Sequence, residues 1–191
     1  MTGATGDIVT TTDVPTDVTI RDAGQDDIAA IAEIYRHWVE NGTSSFELTA
    51  PDPAEMLRRY QAIRSDGKPY LCAEGPDGDI LGYAYAGAYR PRRAYRHSVE
   101  DFIYVAPGAN RRGIGRALLG TLIERCRQDG YHQMIAVIGD SASHGSIGLH
   151  RSLGFRHVGT LERVGHKFGR WLDSVFMQLE LTDRQDPSIE P

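Results

Sequence analysis

Apolar residues recur at helical spacing in three long stretches of the chain and at strand spacing in several short ones. Over "DDIAAIAEIYRHWVEN", Ile28, Ile31, Ile34, Tyr35 and Trp38 fall on one side of a helix, and Asn41-Gly42 supplies a stop. "DPAEMLRRYQAIRSDG" predicts a second helix with Asp52 as cap, Pro53 at its first position and Gly67 at its end. Ile114, Leu118, Leu119, Leu122, Ile123 and Cys126 mark a third, closed near Gly130. "SIGLHRSLGF" reads as a short helix ending at Gly154. "VTIRDA" alternates as a first strand, and "PYLCAE" and "ILGYAYAGAY" form a hairpin around the turn "GPDGD". "HSVEDFIYV" puts Val99, Asp101, Ile103 and Val105 on one face and Glu100, Phe102 and Tyr104 on the other. "YHQMIAVIG" is continuously apolar, which predicts a strand buried on both faces, and "HVGTLERVG" and "DSVFMQLEL" complete the series. The order β-α-α-β-β-β-α-β-α-β-β implies a mixed sheet covered by helices, of the α/β or α+β class.

At 191 residues and 40% hydrophobic, the chain has material for one sizeable core. Residues 1–16, rich in Thr, Gly and Asp, are expected to be a disordered tail, as are residues 183–191, leaving a single domain over 17–182. The two cysteines, Cys72 and Cys126, have no C-x-x-C spacing, so neither a disulfide framework nor a metal site is expected. The start lacks the basic and apolar segments of a secretory signal, and no apolar run approaches membrane-spanning length. A cytoplasmic protein without a membrane partner is the expectation. A net charge of -5 argues against general affinity for nucleic acid. The cations are unevenly placed, however. Between Ala88 and Arg116 stand Arg90, Arg92, Arg93, Arg96, Arg111, Arg112 and Arg116 against only Glu100 and Asp101, an imbalance on the scale of a small-molecule anion site.

"VAPGANRRGIGRALL" lies between the fourth strand and the third helix. A bend entering a helix exposes N–H groups that have no intrahelical acceptor, and the helix dipole adds partial positive charge there. Gly113 and Gly115 remove side chains that would hold a ligand away, so the bend suits phosphate oxygens, although an ordinary strand-to-helix turn accounts for the stretch equally well. Neither the Walker pattern nor the dinucleotide fingerprint fits: Gly115 is followed by Arg116-Ala117, and "GANRRG" has the wrong spacing.

The stretch resembles the coenzyme A loop of the GNAT N-acetyltransferases, with Gly113 and Gly115 in register and Asn110 where the pattern has Arg or Gln. "VENGTSSFE", "YAGAYRPRRAYRHSVEDFIYV", "MIAVIG", "SIGLHRSLGF" and "VGHKFGRWLD" are similar, in order and spacing, to the phosphinothricin and methionine sulfoximine N-acetyltransferase branch, over roughly Val18 to Leu181. The resemblance implies a mostly antiparallel central sheet, acetyl-CoA as cofactor, a homodimer, and transfer of an acetyl group to a small amino-acid-like amine. It implies cofactor contacts at Ile103, Tyr104 and Val105, at Asn110, Arg111, Arg112, Gly113, Ile114, Gly115 and Arg116, and at Ser143 and Ser146. Ser143 departs from the Asn common in the branch.

Acetyl transfer requires a group that takes a proton from the incoming ammonium. Glu100, in an otherwise apolar and aromatic strand, is the candidate, its pKa raised by desolvation, and the resemblance assigns it the same role. A strand-end carboxylate paired with a nearby arginine is the competing reading. His150, which the branch also carries, could donate or relay a proton, or could be a helix-surface histidine. Arg90 and Arg96 could hold an anionic group of the acceptor, with Tyr89 and Tyr95 as walls and Phe46 closing the pocket. Lys167 and Trp171 are late contributors with an equal claim to packing or to a dimer contact. Rival functions are acetylation of a protein N-terminus or lysine, and a non-catalytic acetyl-CoA sensor.

Overall fold

The structure, a computed structural model, describes residues 15–182. Residues 1–14 of the expected N-terminal tail, 1–16, and the whole expected C-terminal tail, 183–191, lie outside the described residues. The elements run β1 (Thr19–Asp22), α1 (Ile28–Asn41), α2 (Pro53–Ser65), β2 (Tyr70–Glu74), β3 (Ile80–Ala88), β4 (Ser98–Val105), α3 (Ile114–Gln128), β5 (Gln133–Gly139), α4 (His144–Ser152), β6 (Arg156–Lys167) and β7 (Arg170–Glu180). This is the order that the hydrophobic pattern predicts. The helix signals act where expected. Asp52 accepts a hydrogen bond from the Glu55 amide at the start of α2, and Gly67, Gly130 and Gly154 take left-handed φ values after α2, α3 and α4.

The strands form a seven-stranded sheet in the order β1-β2-β3-β4-β5-β7-β6. All pairings are antiparallel except β4 with β5. That parallel pairing is also short. It runs from Ser98–Gln133 to Asp101–Ala136, whereas β4 stays with β3 as far as Val105 and β5 stays with β7 as far as Gly139. The sheet therefore splits between the last halves of β4 and β5.

Each face of the sheet has its own core. On one, α3 lays Ile114, Leu118, Leu119, Leu122, Ile123 and Cys126 over Val99, Leu71, Met134 and Met177. Burying each large aliphatic side chain there contributes about 1.5–3 kcal/mol, which sets this helix firmly against the split strands. On the other, Ile28, Ile31, Ile34, Tyr35 and Val39 of α1, with Met56 and Tyr60 of α2, cover Tyr70, Tyr83 and Tyr104. The alternation read in β4 is observed: Val99, Ile103 and Val105 pack with the α3 core, and Phe102 and Tyr104 with the α1–α2 core.

One expectation needs correction. β5 is not buried on both faces: Met134, Ala136 and Ile138 are covered, but Ile135 is half-buried and Val137 is 36% exposed. The α1–α2 layer packs on the aromatic rows of β2, β3 and β4, so one face of β5 lacks helical cover. An unbroken apolar run could not reveal that the cover ends one strand short.

Candidate active site

Alternation along β4 turns the main-chain groups of Ile103 and Val105 toward β5, but both residues lie beyond the last paired position, Asp101–Ala136. These are polar main-chain groups facing a gap. The indole Nε1–H of Trp38, from α1, donates to the Val105 carbonyl at 2.8 Å and so replaces a partner that β5 does not supply. Trp38 entered the sequence reading only as one more apolar helix position. Its hydrogen bond joins residues 67 apart and leaves no local signature.

Past β4 the chain bends through Pro107–Gly113 into α3. Arg111 and Gly113 adopt φ values of 63° and 82°, a conformation that glycine takes freely at the second position. Gly113 caps α3 without a side-chain hydrogen bond, and the Ala117 amide begins the helical ladder on the Gly113 carbonyl. A side-chain atom on Gly115 would lie in ordinary contact with Leu149, Val105 and Ile103, which places this glycine against the end of β4 and α4. Asn110, Arg111 and Arg112 are exposed, Arg116 is half-buried and Ile114 is anchored in the core. The bend thus offers amides, a helix N-terminus and cations in one place, which fits a diphosphate. Two of these cations have protein partners. Arg112 pairs with Asp17 at 2.7 Å, and Arg116 donates to the Ser152 hydroxyl at 2.9 Å.

Glu100 lies on the α1–α2 face of β4 with Phe102 and Tyr104, directly opposite Gly87 of β3. The Phe102 ring lies over Gly87, where a side-chain atom would come within 3.0 Å of it. Burial pushes the Glu100 pKa up from 4.5 to about 7, the neighbouring Asp101 charge adds to the rise, and Arg90 opposes it. The expected cationic loop is also in place. The Tyr89 and Tyr95 rings meet edge to face at 5.7 Å, and the Arg90 guanidinium lies 5.2 Å from the Tyr89 ring centre. Arg90, Arg92, Arg93 and Arg96 are exposed. Deeper in, Tyr35, Met56, Arg59, Ile63, Tyr70, Tyr83 and Tyr85 enclose about 20 Å³, space for a water and not for an amino acid.

Asp101, one residue on, faces the other way and is buried against His150 of α4. His150 Nε2 stands 3.0 Å from Asp101 Oδ2, and Nδ1 donates to the Ser146 carbonyl at 2.8 Å; both side chains are 2% exposed. Burial lowers the histidine pKa, but the Asp101 charge and the bonds to Asp101 and Ser146 outweigh it, and the net shift is upward. His150 is therefore not a helix-surface histidine; both ring nitrogens are engaged inside the protein. Asp101 Oδ1 has no partner among the described residues. Sequence reasoning gave Asp101 no role, although a charged residue on the apolar side of an alternating strand was the available signal.

Ser143 uses its hydroxyl to donate to the Gly139 carbonyl at 2.7 Å, which ties the start of α4 to the end of β5, and Ser146 meets His150 chiefly through its carbonyl. Lys167 departs from the expected acceptor contact. It is 4% exposed, and its ammonium is bound to main-chain oxygens of the loop after α1. Trp171 is 55% exposed and stacks edge-on with His166, on the β6–β7 hairpin. Phe46, 36% exposed, stands against Gly139 and Gly165.

The sequence model of the acetyltransferase (GNAT) domain matches residues 20–176, most of the chain. The chain belongs to the GNAT acetyltransferase family. It is 51% identical over 163 residues to the phosphinothricin N-acetyltransferase of Alcaligenes faecalis, covering 85% of this chain and 82% of that one. To the L-methionine sulfoximine/L-methionine sulfone acetyltransferase of Pseudomonas aeruginosa it is 44% identical over 162 residues, covering 85% and 94%. The crystal structure of a GNAT phosphinothricin acetyltransferase from Sinorhizobium meliloti, in complex with AcCoA, superposes with a TM-score of 0.84 at 48% identity, covering 86% of this chain and 89% of that one. As a GNAT protein the chain is an acetyltransferase, and acetyl-CoA is the cosubstrate of the family. The split between β4 and β5 and the arginine-flanked bend before α3 are the two features of the fold that suit such a donor.

Proposed function

We propose that the chain transfers the acetyl group of acetyl-CoA to the α-amine of a small amino-acid-like acceptor with an anionic group, of the phosphinothricin or methionine sulfoximine type, with Glu100 as general base. The carrying observation is Glu100: a half-buried carboxylate with a pKa of about 7, beside Arg90 and opposite a glycine, on the strand that borders the split. A base with that pKa is ionised over half the time above neutrality and still holds a proton well.

When bound, acetyl-CoA supplies the electrophilic thioester carbon and a thiolate leaving group. The bend from Asn110 to Gly115, with Arg111, Arg112 and Arg116, would hold the diphosphate. The amides of Ile103 and Val105 face the gap, where the pantetheine arm and the thioester oxygen need donors. Tyr104 is buried between them and packs edge-on with Tyr35 at 5.1 Å, which stiffens this end of β4. Glu100 takes the proton from the acceptor ammonium, and Arg90, with Arg96 on the same loop, offers the anionic end of the acceptor a guanidinium. Tyr89, Tyr95 and Phe46 supply walls. With both nitrogens of His150 engaged, that residue serves by holding Asp101 and the β4–α4 contact, and a role as direct donor to the thiolate would require one of these bonds to break.

The exposed apolar side chains Val158, Leu161, Val164, Phe168 and Trp171 cluster on the β6–β7 hairpin, and they support the homodimer implied by the family. Cys72 and Cys126 are buried free thiols, consistent with a reducing, cytoplasmic setting. Among the described residues no helix is long and apolar enough to cross a membrane.

The test is a screen of small amines with acetyl-CoA, read as thiol release, with a free N-terminal peptide in parallel. Turnover of phosphinothricin or methionine sulfone above the peptide supports the reading. Preference for the peptide, or binding heat for acetyl-CoA without turnover of any amine, overturns it.

A further inference from the structure

The loop from Gly42 to Glu47 is gripped from three elements. From β6, the Lys167 ammonium donates to the Gly42 carbonyl at 3.0 Å and to the Ser45 carbonyl at 2.7 Å. From α1, the Tyr35 hydroxyl meets the Ser45 hydroxyl at 2.8 Å; from α2, Arg59 pairs with Glu47 at 2.6 Å. A buried ammonium requires acceptors for its protons, and here one loop supplies two. Burial pushes the Lys167 pKa down, with Glu47 opposing.

The seat beneath this loop is made of glycine. A side-chain atom on Gly139, the last residue of β5, would lie 2.1 Å from the Thr43 carbonyl oxygen; one on Gly165 of β6 would lie 2.4 Å from the Phe46 ring. Neither glycine has a positive φ, so space rather than backbone conformation demands them. Gly139 also lies past Ala136, where β5 has parted from β4. Phe46 is thereby held at the end of β5 beyond its pairing with β4, and the Lys167 ammonium is taken up by carbonyls of the same loop.

We propose that Lys167 is a specificity-determining positioning residue: by binding the Gly42 and Ser45 carbonyls it fixes the loop on Gly139 and Gly165, so that Phe46 forms one wall of the acceptor site. This rests on the acceptor reading above. It assigns the lysine to the loop, with no contact to the acceptor. Selectivity among acceptors is then written partly in a strand that contributes no atom to the site.

The test compares kcat/KM for phosphinothricin and for L-methionine sulfone, with acetyl-CoA as donor, in the full chain and in Lys167→Met, Phe46→Ala and the double variant. Lys167→Met is expected to raise acceptor KM and to change the ratio of the two acceptors by about tenfold, in the direction that Phe46→Ala changes it. The KM for acetyl-CoA should stay within about twofold, since no bond at the cofactor bend is touched. The double variant should match Phe46→Ala alone, because the lysine acts through the phenylalanine. General loss of structure would instead lower both kcat/KM values together and multiply in the double variant. An unchanged acceptor ratio in Lys167→Met, or multiplied effects in the double variant, overturns the proposal. Should Lys167→Met fail to fold, Gly165→Ala displaces the Phe46 ring directly and must shift the ratio the same way; an unshifted ratio there overturns the proposal equally. A wild-type chain inert toward both amines defeats the acceptor reading itself.

Discussion

Replacing Glu100 by Gln separates the functional cost of this carboxylate from its structural cost, because the two move in opposite directions. Holding a carboxylate whose pKa has risen from 4.5 to about 7 withholds at most about 3–4 kcal/mol from the folded state once the group is ionised. The sign follows from proton counting. Below pH 4.5 the group is protonated in both states and contributes nothing. Between 4.5 and about 7 the unfolded chain has lost the proton and the folded chain keeps it, so stability falls as pH rises; above about 7 the loss is complete. Screening at the open side of the site reduces the figure to about 1–3 kcal/mol. For a domain of this size that corresponds to a melting temperature about 3–10 °C higher in Glu100→Gln than in the wild type at pH 8, with the gap closing toward pH 4. The glutamine cannot accept the ammonium proton, so kcat should fall by about 10²–10⁴-fold while acetyl-CoA binding, by calorimetry, stays near wild type. Thermal melts from pH 4 to 9 and thiol-release kinetics decide the matter. A melting difference that is constant with pH, or turnover that survives the substitution, refutes the reasoning.

Asp101→Asn removes the negative charge that helps to raise Glu100, so the acid limb of kcat/KM should move from about pH 7 to lower pH. It also strips His150 of its buried partner, at a cost to stability of about 3–5 kcal/mol, visible in denaturant melts. Asp17 and a bound diphosphate would compete for Arg112, so Asp17→Asn should lower the KM for acetyl-CoA and Arg112→Ala should raise it, each by about two- to tenfold and more steeply at low salt. Gly139→Ala must push the Thr43 carbonyl out of its seat, with an expected loss of about 1–3 kcal/mol in thermal denaturation and a raised acceptor KM.

Most of the framework was legible because it is local. Helix faces, caps and the two-sided alternation of β4 are written within a few residues of one another, and the structure repeats them at Asp52, Gly67 and along Val99–Val105. What stayed hidden depends on distant partners. Lys167 reads equally as an acceptor contact or as a packing residue, and its partners, the carbonyls of Gly42 and Ser45 more than a hundred residues away, appear only in the fold. His150 reads either as a proton donor or as a helix-surface residue, and its burial shows only once Asp101 is folded beneath it. Gly139 and Gly165 carry no turn signal at all, since their use is to be absent under Thr43 and Phe46.

The split of the sheet ties these parts together. β4 keeps β3 from Val99 to Val105 but leaves β5 after Asp101, and the two residues at that parting, Glu100 and Asp101, project to opposite faces. One carboxylate is half-buried with its proton affinity raised; the next is sealed against His150 of α4. Because they are adjacent, the charge that holds His150 of α4 is the same charge that raises the pKa of Glu100, the proposed base. A substitution made to strengthen the α4 packing by neutralising Asp101 would therefore retune the chemistry across the sheet, and the pH profile would report it before any crystallographic change in the position of Glu100 became visible.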